Sequence, residues 1–307
     1  MILSASRRTD IPSYYSEWFI NRLREGYVLI PNPYNARRLS RLRLSPDTVD
    51  CIVFWSKNPA PMLPRLDAVT DLGYSFYFQF TLTPYGPVWE PGLPEVSSRL
   101  DTLLELSKRL GRERAVWRYD PIIVEERFPP AYHVQQFEAL CRRLEGAVDT
   151  CVISFVDQYA HNRAVVPVVC VEDMRAIAGE FSAIAKQHKI RLSACCEDAW
   201  LAEYGVEKSA CIDQRRIETI LGCPIQGRKD AGQRPACGCM ESVDVGIYGT
   251  CLNGCRYCYA TKSPAAARRS WERHDPASPL LTGRPRGDET VTERRTASFR
   301  ETQLSLL

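Results

Sequence analysis

Short apolar runs recur along the chain, and each ends in a polar cluster. Ile2–Ala5 leads into Ser6-Arg7-Arg8-Thr9-Asp10, and Cys51–Trp55 into Ser56-Lys57-Asn58. Tyr27–Ile30, Tyr74–Phe80, Ala115–Trp117, Cys151–Val156, Ile190–Ala194 and Val243–Tyr248 behave the same way. Such short runs, bounded by polar and turn-forming residues, predict strands. Between most of them the apolar positions fall at helical spacing. Helices are predicted over Ser13–Gly26, with Ser13 as N-cap and Gly26 as stop, over Pro94–Leu110, and over 130–145 and 171–188. Pro33–Ser45, where Leu39, Leu42 and Leu44 alternate with arginines, reads as a hairpin arm or a short helix.

Strands alternating with helices predict an α/β fold on a parallel sheet, a TIM-like (β/α) barrel, full or partial. Barrels of this kind carry their chemistry at the C-terminal ends of the strands, where the polar clusters fall. One domain is expected over residues 1–267. From Arg268 onward the chain is rich in Arg, Ser, Pro and Thr, which predicts a loosely ordered extension over 268–307.

Composition narrows the class. Hydrophobic residues make up 45% and charged residues 25% of the 307, an ordinary globular balance, and a net charge of +3 is too small to argue for nucleic acid. The N-terminus lacks the apolar stretch of a signal peptide, and no run is long enough to span a membrane. A cytoplasmic location is the expectation, and there the 13 cysteines read as metal or catalytic sites rather than disulfides. Cys51, Cys141, Cys151 and Cys170 lie within apolar patterns and are assigned to the core. His133 and His188 read as surface residues of helices, and His161 as a solvated loop residue.

Two cysteine groups remain. Cys251, Cys255 and Cys258 have the spacing C-x3-C-x2-C within the loop 249–260. A loop of this size can turn three thiolates toward one point, hold three irons of a [4Fe–4S] cubane and leave the fourth open. Zinc would need a fourth ligand, usually from a second C-x2-C pair. The other group comprises Cys195 and Cys196 at the end of a strand, Cys211, Cys223, and the tight pair Cys237-Gly238-Cys239. Cys196, Cys211, Cys237 and Cys239 are the set expected to hold a second iron–sulfur cluster or a structural zinc. Buried thiols are the plain alternative.

The C-x3-C-x2-C loop, with aromatic Tyr257 before its third cysteine, resembles the cluster loop of radical S-adenosylmethionine (SAM) enzymes. Across most of its length the chain also resembles the DUF1848 family, whose C-terminal cysteines are likened to that loop. The resemblance implies that Cys251, Cys255 and Cys258 hold a 4Fe-4S cluster, that SAM chelates its open iron, and that Tyr257 packs near the adenine. It implies reductive cleavage of SAM to a 5′-deoxyadenosyl radical, which abstracts hydrogen from an unknown substrate, with a reductant such as ferredoxin or flavodoxin as partner. Radical SAM enzymes typically place this loop after the first strand, and here it follows the last. The resemblance therefore implies a circularly permuted barrel, with Val243–Tyr248 as first strand and Ile2–Ala5 as second. Where the family has a glycine-rich segment for the SAM amino group, this chain has Ser4, Ser6, Arg7, Arg8, Thr9 and Asp10. Hydroxyls and a carboxylate can receive an ammonium, and an arginine can receive a carboxylate. Arg118 and Asp120, flanking Tyr119, either form salt bridges across the barrel or contact SAM or substrate. The terminal Gln303–Leu307 resembles the short peptide that docks bacterial DNA-associated proteins on the sliding clamp, with leucine in place of the usual terminal phenylalanine. The alternative functional classes are a non-catalytic iron–sulfur protein for electron transfer or redox sensing, and a zinc-stabilised binding module associated with DNA machinery.

Overall fold

The computed structural model describes residues 1–300, so the clamp-like peptide Gln303–Leu307 lies outside the described residues. In chain order, β1 (Ile2–Ala5) is followed by β2 (Tyr27–Asn32), β3 (Asn35–Arg43), β4 (Cys51–Ser56), β5 (Phe76–Thr81) and β6 (Ala115–Ile122). Then come β7 (Thr150–Phe155), β8 (Arg191–Ala194), β9 (Glu207–Lys208), β10 (Ser242–Asp244) and β11 (Thr290–Arg294). Eight of these form one sheet in the order β10-β1-β4-β5-β6-β7-β8-β9, with every neighbouring pair parallel. The sheet is open, ending at the short strands β9 and β10 rather than closing on itself. This is an α/β architecture consistent with a partial TIM-like barrel.

The near-continuous apolar sequences of β4, β5 and β7 follow from burial on both faces. One face carries Leu3, Phe54, Phe78, Trp117 and Ile153 against the helices Ser16–Glu25, Val96–Leu110, Pro130–Leu144 and Val171–Gln187. The other carries Ile2, Cys51, Val53, Tyr77, Val116 and Val152, and it is covered by Cys211, Ile212, Ile217, Cys237, Cys239 and Met240. The second cysteine group therefore lies over the inner face of the sheet. Burial pushes the Cys51 thiol up to about 12, so it sits there as a small apolar group.

Several expectations change. Pro33–Ser45 is a hairpin strand: β3 pairs antiparallel with β2, and β11 pairs parallel with β3. Tyr27–Ile30 thus belongs to this separate sheet, because the arginines on β3 suit a solvent-facing arm rather than a barrel wall. The helix expected over Ser13–Gly26 is two helices, Ile11–Tyr14 and Ser16–Glu25. Asp10, not Ser13, caps the first by accepting the Ser13 N–H at 3.0 Å. Cys170 is exposed, since it sits at the N-terminal boundary of the helix Val171–Gln187 and not inside an apolar stripe. His133 is buried, bonded to the Tyr119 hydroxyl at 2.9 Å and to the Ile123 carbonyl oxygen at 2.8 Å.

Residues 268–300 of the stretch expected to be loosely ordered continue to pack. Leu281 joins the main core, and Leu280 packs with Leu29 and Leu39. The Trp18 indole N–H donates to the Ser278 carbonyl oxygen at 2.9 Å. The few apolar residues of this segment fall where the hairpin and the helix Ser16–Glu25 need covering. Among the described residues, no helix is long and apolar enough to cross a membrane.

Candidate metal centres and the cavity they share

A cavity of about 900 Å³ opens at the C-terminal ends of the parallel strands. Cys251, Cys255 and Cys258 line it, and so do Cys195, Cys196, Cys211, Cys237 and Cys239. Both cysteine groups thus face one space, although about 40 residues separate Cys211 from Cys251 in the chain.

The loop that follows β10 is pinned along its length. Its neck is closed by the Gly249 N–H donating to the Ala260 carbonyl oxygen at 2.9 Å. Gly249 and Gly254 take left-handed φ values of 70° and 66°, which favour glycine. The Tyr15 hydroxyl donates to the Thr250 carbonyl oxygen at 2.7 Å, and the Arg256 N–H to that of Trp89 at 3.0 Å. Asn162 Nδ2 donates to the Tyr257 carbonyl oxygen at 3.1 Å, and His161, expected to be merely solvated, bonds the Cys258 carbonyl oxygen through Nε2 at 2.8 Å.

Glu90 is the buried anchor beneath this loop. It is fully buried and accepts from Lys57 Nζ at 3.0 Å, Arg99 Nη2 at 3.1 Å, Thr83 Oγ1 at 2.7 Å and the Tyr257 hydroxyl. Burial alone would raise its pKa, but Lys57, Arg99 and the two hydroxyls hold it below the usual carboxylate range. Tyr257, which the resemblance places near the adenine, does line the cavity, with its hydroxyl committed to Glu90.

Gly92 touches the loop from below. Its N–H donates to the Asn253 carbonyl oxygen at 2.9 Å, and a Cβ there would lie 2.7 Å from the carbonyl oxygens of Leu252 and Asn253. Gly92→Ala is expected to push the loop away at a cost of about 1–3 kcal/mol and to lower metal retention. Thermal unfolding and iron content check this; a variant equal to the parent in both would show that the contact does not position the loop.

The three loop thiols suit a soft, positively charged partner. Burial pushes Cys251 up to about 12 and Cys255 well above the ordinary thiol value. A metal reverses that preference by binding the thiolate. The Ala260 N–H already points at Cys258 Sγ from 3.3 Å, the kind of amide-to-sulfur bond that tunes iron–sulfur sites. Two buried donors of cavity-lining residues, Arg7 Nη2 and Trp55 Nε1, have no hydrogen-bond partner among the described residues. Unpaired buried donors are costly and mark places where a bound group belongs.

The segment after β1 divides. Ser4 does not line the cavity; its hydroxyl, that of Ser6 and the Arg7 N–H all donate to Asp244, at 2.9, 2.6 and 2.9 Å. These bonds tie β1 to β10. Asp10 is likewise saturated, accepting from Ser56 Oγ at 2.7 Å, the Lys57 N–H at 2.8 Å and Asn253 Nδ2 at 3.1 Å. Arg7 lies over the Trp55 ring and 3.7 Å from Asp230, and Arg8 lies over the Tyr248 ring. Arg118 pairs with Asp120 and also donates to Gln79 Oε1 at 3.3 Å and to Cys211 Sγ at 2.9 Å.

In the second group Cys195 replaces Cys196. The sulfurs of Cys195, Cys211 and Cys239 lie within 4.8 Å of one another. Cys195 Sγ is 3.9 Å from Cys239 Sγ and 4.0 Å from Cys237 Sγ. Cys196, which has a left-handed backbone with φ 67°, and Cys237 stand outside this group of three, Cys237 adjoining it at Cys195. Adjacent residues project apart, so only one of the pair can join a compact centre. Cys239 is held well below the ordinary thiol value by hydrogen bonds from Cys195 and Cys211 and by the charge of Arg7.

Residues that pattern reading missed are Glu90, Asp244, Cys195 as the member of its pair, and Glu197. Glu197 lines the cavity, and burial together with Asp120 pushes it up to about 8. Its position directly after Cys195-Cys196 was the available signal.

The model of a domain of unknown function, DUF1848, matches residues 2–260. The chain belongs to the DUF1848 family. No curated protein and no solved structure matches it. The DUF1848 match ends at Ala260, the last residue of the cysteine loop, so β1, the sheet and both cysteine groups all fall inside it.

Proposed function

We propose that this chain is an iron–sulfur enzyme of the radical SAM type, with Cys251, Cys255 and Cys258 as ligands of a [4Fe–4S] cluster. The observation that carries the reading is the convergence of the C-x3-C-x2-C thiols on a cavity of about 900 Å³ at the C-terminal ends of a parallel sheet. Loaded and reduced, such a centre supplies the electron that cleaves SAM to a 5′-deoxyadenosyl radical able to abstract hydrogen. The chain's own residues have separable tasks. Arg7, with a buried unpaired Nη2, offers a cation to the SAM carboxylate. Tyr257, fixed by Glu90, forms part of the wall beside the loop. Arg118, paired with Asp120, also reaches Cys211 Sγ inside the cavity. The position of β10 beside β1, with the loop directly after β10, supports the permuted reading, in which β10 stands for the first strand of the usual barrel. A small electron donor such as ferredoxin or flavodoxin is the partner this chemistry requires.

The test is anaerobic reconstitution with iron and sulfide, followed by reductant and SAM. 5′-Deoxyadenosine is expected by chromatography, and SAM is expected to perturb the spectrum of the reduced cluster. Full cluster loading with no response to SAM would replace this reading by electron transfer or redox sensing.

A further inference from the structure

We infer that Cys195, Cys211, Cys237 and Cys239 bind one mononuclear metal ion of the zinc class, a structural centre separate from the loop 249–260. The spacing of the sulfurs carries the inference. A tetrahedral ion with metal–sulfur bonds of about 2.3 Å places its sulfurs about 3.8 Å apart. The sulfurs of Cys195, Cys211 and Cys239 lie within 4.8 Å of one another, with Cys195 3.9 Å from Cys239, and Cys237 offers a fourth thiol 4.0 Å from Cys195. In a cubane each thiolate binds a different iron at a different corner, which spreads the sulfurs farther than this. A disulfide would need sulfurs about 2.05 Å apart, and all four cysteines are free.

The charge balance agrees. Four thiolates around a divalent ion leave two negative charges in a largely buried place, which is costly unless compensated. Two arginines stand beside them. Arg118 donates to Cys211 Sγ at 2.9 Å, and Arg7 lines the same cavity. The Ile212 N–H, 3.4 Å from Cys239 Sγ, adds a backbone donor to the sulfur shell.

The location explains the need. The chain from 205 to 241 covers the inner face of the sheet, yet its regular structure is limited to β9 and the helix Gln214–Leu221. Cys195 belongs to the end of β8, Cys211 to the loop before that helix, and Cys237 and Cys239 to the loop after it. One ion would cross-link three separate segments, which is how metal binding supplies folding free energy to a loop-rich region. With four thiolates the coordination is closed, as in structural zinc sites.

The inference is independent of the first cluster, and its test keeps the two apart. The full chain carrying Cys251→Ala, Cys255→Ala and Cys258→Ala is purified and assayed for zinc, iron and acid-labile sulfide. About one zinc per chain with neither iron nor sulfide is expected. Retained iron with sulfide, or no bound metal, overturns the proposal. The same assay on the unsubstituted reconstituted protein, expected to show that zinc beside the cluster iron, covers the case in which the triple variant fails to fold. Cys195→Ser is expected to lose the zinc and Cys196→Ser to keep it; the reverse result assigns the site wrongly and also overturns the proposal. Titration of the unsubstituted chain with an organomercurial, expected to release zinc as the thiols react, provides the check if Cys195→Ser is insoluble.

Discussion

Replacing Cys251, Cys255 and Cys258 together by alanine is expected to remove the whole of the cluster, about four irons and their sulfides per chain. The effect should be all or none. In the proposed cubane each thiolate would hold a different iron, and the loop itself offers the cavity no other thiol. The fold is expected to survive. The loop is held by backbone bonds at Gly249, Thr250, Arg256 and Tyr257, none of which uses a cysteine side chain. Iron and sulfide analysis, together with the visible absorption of the reconstituted protein, decides the matter. Iron unchanged in the triple variant would sink the assignment of these residues as ligands, and 5′-deoxyadenosine formation should vanish in parallel.

How much of this was legible in the sequence depends on the scale at which the signal is written. Parallel strands buried on both faces must be apolar throughout, so β1, β4, β5, β6, β7 and β8 announce themselves, and their order follows from alternation with helices. The loop 249–260 is equally plain, because three cysteines within eight residues need no tertiary information. The hairpin was ambiguous for a physical reason: Leu39 and Leu42 are buried in different clusters, so their spacing of three matches a helix as well as a twisted strand. Between Cys195 and Cys196 the choice rests on one backbone angle that composition does not encode. Ser4 and Asp10 were polar residues at a strand end, and nothing local tells whether such a group faces a ligand or another carboxylate and hydroxyl of the protein. Asp244 consumes the first, and the cap of the helix Ile11–Tyr14 consumes the second.

Three buried or half-buried carboxylates share a task that no motif reveals. Asp244 fastens β1 to β10, Asp10 fastens the Lys57 turn to Asn253 of the cysteine loop, and Glu90 fastens Tyr257 to Lys57 and Arg99. Asp244 links the loop's parent strand to β1, and Asp10 and Glu90 both link the loop to the Lys57 turn. The chain thus holds its cysteines through ionic and hydrogen-bonded struts, with Asp10 and Asp244 in the cavity wall and Glu90 behind it.

Glu90 is the strut with the most at stake. Glu90→Ala is expected to destabilise the protein by about 3–5 kcal/mol, the usual consequence of removing one partner from a buried ion pair. Arg99 is itself fully buried, and its remaining bonds are to the carbonyl oxygens of Thr83 at 3.0 Å and Pro94 at 3.2 Å, which do not neutralise its charge. Lys57 would also lose its carboxylate, while Tyr257 would lose the acceptor for its hydroxyl. Glu90→Gln keeps the shape and two hydrogen-bonding groups without the charge, so a smaller loss is expected. The pH dependence has a definite sign. The folded carboxylate titrates below its unfolded value, about 4.3, so its contribution is complete above that pH and is lost as the pH falls through the depressed folded value. Denaturant unfolding of the apoprotein measures the stability, and iron per chain after reconstitution measures the effect on the loop. A Glu90→Ala protein as stable as the parent, with a full complement of iron, would mean that the loop stands without this strut.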